Sequence, residues 1–88
     1  MMNLKQNELS QMLFEKLKRQ FPELELVNIT ESTENPSHIW VNILMPEDED
    51  REIEVREMAS EISTDILLEY GYHILISSAP GFEKRTAL

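Results

Sequence analysis

Apolar residues recur on two different periods along this chain. Between Val55 and Tyr70 they return every three or four positions, as Val55, Met58, Ala59, Ile62, Ile66 and Tyr70. At about 100° per residue these positions share one helix face, a stripe about 120° wide. Glu57, Ser60, Glu61 and Thr64 fall on the far side, with Leu68 on the outer surface and Leu67 at the margin. The acidic run Glu47-Asp48-Glu49-Asp50 precedes the stripe. Carboxylates there can cap free N–H groups and meet the positive end of the helix dipole. Gly71 follows the last apolar position, where a left-handed residue ends a helix without a Cβ clash. Tyr72-His73-Ile74-Leu75-Ile76 then begins at once, rich in β-branched and aromatic residues, and reads as a strand. Ser78-Ala79-Pro80-Gly81 closes it.

An earlier helix is predicted from about Leu4 to Gln20. Leu9, Leu13, Phe14, Leu17 and Phe21 form its stripe, with Ser10 inside it. Asn3 and Gln6 have the spacing of a reciprocal cap, and Pro22 disfavours helical geometry at Phe21. Leu24 to Thr30 reads as a first strand, with Leu24 and Leu26 facing one way and Val27 and Ile29 the other. Thr30 to Ser37 has no hydrophobic residue and ends in turn formers, so it is a loop. His38 to Met45 is a second strand: Ile39, Val41, Ile43 and Met45 alternate with His38, Trp40, Asn42 and Leu44. Pro46 ends it.

The order is helix, strand, strand, helix, strand. The first two strands form an antiparallel hairpin. The second strand, second helix and third strand form a crossover that makes the last two strands parallel neighbours. The expected fold is α+β, a two-layer sandwich in αββαβ order, with both helices on one face of a three-stranded mixed sheet. Residues 1–80 form a single domain on this reading, and residues 81–88 a flexible tail.

Composition narrows the function classes. Seventeen acidic residues against eight basic ones give a formal charge of −9. A nucleic-acid binder needs a basic face to neutralise phosphates, so this balance opposes that class, and it disfavours an anionic membrane surface likewise. The chain has no cysteine, which removes disulfides, thiolate metal sites and cysteine nucleophiles. Met1 to Gln11 carries no apolar run, and no stretch approaches the roughly 20 apolar residues that span a bilayer. A cytoplasmic protein is expected.

With both helices on one side, the sheet's other face has little chain left to cover it. Trp40, Leu44 and Leu75 alternate onto that face together with His38 and His73, and Val27 and Ile29 are candidates to join them. This is the candidate interface, since exposed aromatic and aliphatic clusters mark contact surfaces. The plainer alternative is that the tail, Phe82 included, folds back over it. His38 and His73 are placed to meet across neighbouring strands, but two imidazoles without a firm third ligand do not make a zinc site. Glu47 to Asp50 lacks the glycine and spacing of a calcium loop. Ser60, Ser63, Thr64, Ser77 and Ser78 stand in no Gly-x-Ser-x-Gly turn and beside no evident base. No catalytic, cofactor or metal residue is assigned, and the expected partner is another protein or a second copy of the chain.

The element order and the run Ile66-Leu67-Leu68-Glu69-Tyr70-Gly71-Tyr72-His73-Ile74-Leu75-Ile76-Ser77 resemble the closing part of small bacterial nucleotidyltransferase domains. That resemblance implies a Gly-Ser pair after the first strand and Asp-x-Asp on the second. Here those places hold Asn28-Ile29-Thr30-Glu31-Ser32 and His38-Ile39-Trp40. Without the carboxylates no metal pair can be held for nucleotidyl transfer, so the resemblance implies a non-catalytic relative. Retained nucleotide binding, or a partner role, is the alternative function it carries.

Overall fold

The first element starts with the reciprocal cap. Asn3 Oδ1 accepts the Gln6 N–H at 2.7 Å, and Gln6 Oε1 accepts the Asn3 N–H at 3.0 Å. In the computed structural model, which describes residues 2–35 and 37–79, helix α1 then runs Leu4–Gln20. Leu9, Leu13 and Leu17 are buried along it, and so are Gln6 and Ser10. The Ser10 hydroxyl donates to the Gln6 carbonyl at 2.8 Å, which satisfies a polar group in an apolar stripe. Phe21 caps the helix and Leu24 is fully buried just ahead of strand β1.

The remaining elements are β1 (Glu25–Glu31), β2 (His38–Leu44), α2 (Glu49–Tyr70) and β3 (His73–Ser78). The sheet order is β1-β2-β3, with β1 antiparallel to β2 and β2 parallel to β3. Ile39, Val41 and Ile43 on β2 and Ile74 on β3 have no exposed surface. They join Leu9, Leu13 and Leu17 of α1 and Val55, Ala59, Ile62 and Ile66 of α2 in a single cluster. Both helices therefore cover one face of the sheet, as the alternation predicts. Each large side chain buried there contributes about 1.5–3 kcal/mol.

The strands differ from the expected bounds by about a residue, β1 reaching Glu31 and β2 ending at Leu44, and two further details depart from the expected pattern. The register of β1 shifts between Leu26 and Asn28, so Val27 is an extra residue, a bulge. Leu26 then stands opposite Ile43, and Ile29 opposite Val41. Directly opposed residues project to the same face, so Ile29 lies on the core side and not beside Trp40. At the end of α2, Tyr70 is 42% exposed rather than part of the core stripe; its ring lies 5.0 Å from the Lys5 ammonium on α1.

α2 is entered as its sequence requires. Asp48 is the N-cap, its side chain accepting from the Asp50 N–H, and Glu49, Asp50 and Glu52 occupy the first turn. Arg51 ties this end to the α1–β1 turn. Its guanidinium lies 4.7 Å from the Phe21 ring centroid and donates to Glu23 at 2.7 Å. That hydrogen bond is the main reason the Glu23 carboxyl sits below its ordinary pKa. Gly71, at φ +81°, closes the helix with its N–H on the Leu67 carbonyl.

Candidate functional site

Strand alternation sends His38, Trp40, Asn42 and Leu44 of β2 to the open face, and the parallel register sets β3 beside them. His38 is paired with His73, and Trp40 with Leu75. The two imidazole centroids are 4.5 Å apart with the rings tilted by 48°, and Asn35 Nδ2 lies 3.4 Å from His38 Nε2. Trp40 is 36% exposed; Leu75, His38 and His73 are half-buried. Four of the five interface residues read from the sequence thus meet in one patch. Leu44 does not. It lies four residues along β2, roughly 13 Å at 3.3 Å per residue, opposite Glu25.

The open face is polar towards β1. Asn42 Nδ2 donates to Asn28 Oδ1 at 2.7 Å and reaches Thr30 Oγ1 at 3.2 Å. Its apolar part is therefore confined to the β2–β3 side.

Among the described residues β3 is an edge strand. The Ala79 N–H donates to the Ile43 carbonyl. By alternation Ser77, Leu75 and His73 also direct their backbone groups to β2, while Ile74, Ile76 and Ser78 direct theirs outward. The Ile74 carbonyl is met on that outer side by the buried Ser63 hydroxyl, at 2.5 Å. A groove of about 400 Å³ runs along this edge between α2 and the Trp40 ring, lined by Ser60, Thr64 and Leu67 on the helix and by Leu75 on the strand. Along the chain those helix residues stand out only as isolated hydroxyls and a leucine at the stripe's margin. Their i, i+4, i+7 spacing was the available sign of a shared flank.

The remaining candidates hold ordinary places. The acidic run leads through the Asp48 cap into α2, and Asn28, Ile29, Thr30 and Glu31 are the last four residues of β1, paired with β2, with Ser32 opening the hairpin loop. Ile39 is core, while His38 and Trp40 face outward. Among the described residues, no group of three or more His, Cys, Asp or Glu side chains is placed to hold a metal ion, and no helix is long and apolar enough to cross a membrane. The tail after Pro80, with Phe82, lies outside the described residues. Compared with protein-family models, curated proteins and solved structures, the chain matches none.

Proposed function

We propose that this chain is a non-catalytic cytoplasmic interaction module that meets a protein partner, a second copy of itself included, through the open sheet face at Trp40 and Leu75. One observation carries this reading: a 36% exposed tryptophan stands beside a leucine on the face that both helices leave bare. A large rigid ring held at a surface gains most when a partner desolvates it. The charge of −9 supports a protein partner over a nucleic acid.

Sedimentation over a range of concentrations, with Trp40 emission recorded alongside, tests it. Association is expected to shift the emission to shorter wavelength, and Trp40→Ala is expected to weaken it tenfold or more, about 1.4 kcal/mol. A single-chain mass throughout, with Trp40 already inaccessible to a soluble quencher, overturns the reading, because the chain's own residues then cover the ring.

A further inference from the structure

We propose that two copies of this chain join edge to edge along β3, antiparallel, about a two-fold axis at Ile76. The proposal rests on the self-association reading above and names the contact. Its first support is the backbone. Ile76 and Ser78 turn both N–H and C=O outward, and Ile74 turns its N–H outward, on a side where no other strand is paired among the described residues and where Ser63 of α2 meets the Ile74 carbonyl. Placed against itself in the opposite sense, this edge is complementary. Ile76 exchanges both bonds with Ile76 of the partner subunit, and the Ile74 N–H meets the carbonyl of the partner's Ser78. The Ile74 carbonyl keeps Ser63 on one lone pair and has a second for the N–H of the partner's Ser78.

The second support is the contrast between the sheet's two edges. β1 carries Glu25 and Glu31 and is broken by the bulge at Val27, devices that blunt an edge against pairing. β3, His73-Ile74-Leu75-Ile76-Ser77-Ser78, has no Asp, Glu, Lys, Arg, Pro or Gly, and its ladder with β2 is unbroken. The third is charge. In a chain of net charge −9, Arg56, ion-paired with Glu52 at 2.9 Å, is the one Asp, Glu, Lys or Arg among the described residues that line the groove along this edge. Two copies meet there without opposing carboxylates in the groove. The small, exposed Ser60 and Thr64 let the two α2 helices come side by side across the axis, with Glu61 and Asp65 beside them in the adjoining hollow, and the Trp40–Leu75 shelves of the two subunits run on into each other.

The test is sedimentation velocity across a concentration series on the full chain, with amide hydrogen exchange read at single residues. The Ile76 amide is expected to exchange fast when dilute and to gain protection in step with a two-chain mass. The Leu75 and Ser77 amides, bonded to β2, stay protected throughout. Ser78→Pro removes an outward N–H and no bond to β2, so it is expected to weaken the two-chain species tenfold or more with unchanged circular dichroism. Thr64→Glu, at an exposed site on α2, is expected to weaken it in a way that added salt relieves. A two-chain species lost with Trp40→Ala but indifferent to Ser78→Pro overturns the edge contact and leaves the face reading standing. One lost with Ser78→Pro but not with Trp40→Ala supports the edge and removes the face. A single-chain mass at every concentration overturns the proposal whether the Ile76 amide is protected or not. In that case a fast amide leaves the Trp40 face to a different protein.

Discussion

Gly71 is the residue whose chemistry is most fully determined by its position. It sits at φ +81° with no atom within 4 Å of where a Cβ would stand, so a substitution there meets backbone strain and no collision. Gly71→Ala is expected to cost about 1 kcal/mol, since left-handed geometry is disfavoured for residues with a Cβ, and Gly71→Asn less. Urea titration checks this through a lower midpoint with an unchanged slope. This residue was legible in the sequence because a glycine after the last apolar position has few other uses. Ser63 was not. Its hydroxyl is meaningful only through the Ile74 carbonyl, eleven positions away, and no local pattern announces that pairing.

Among the elements, β1 shows where period-two reading fails. Simple alternation assigns Leu26 and Ile29 to opposite faces, yet both pack against the core because Val27 is inserted between them. An inserted valine between a leucine and an asparagine looks like any strand residue, so the shift was invisible until the register was known. Deleting Val27 is expected to leave Leu26 opposite Ile43 and Ile29 opposite Val41 with a regular ladder. Stability should then change by less than about 1 kcal/mol, and the straightened edge should show higher-order association by sedimentation. A collapse of the thermal transition instead would mean that Val27 holds the fold. The helices, by contrast, were readable nearly to the residue. α1 runs Leu4–Gln20 and α2 stops before Gly71, because cap residues and apolar stripes agree at both ends of each.

For the molecule as a whole, the one-faced architecture follows from two apolar stripes, a hairpin and a crossover, all of which were visible in the chain. Ile62, buried where α2 meets the shared cluster, measures how much rests on it. Ile62→Asp places a carboxylate among aliphatic side chains without a partner. The expected outcome is loss of the cooperative thermal transition by circular dichroism, and a normal melting curve would show that this helix face is not core. The extent of the open face was less legible. Its polar half depends on Asn42 meeting Asn28 and Thr30, which only the strand register brings about. The bulge at Val27 bears on assembly too. Growth into a filament requires every subunit to offer two sticky sides, whereas this sheet has one side sealed by a kink and two glutamates. If two copies join through the other side as proposed, no second free strand edge is left among the described residues, so edge pairing halts at two, and raising the concentration should fill that pair without seeding fibres.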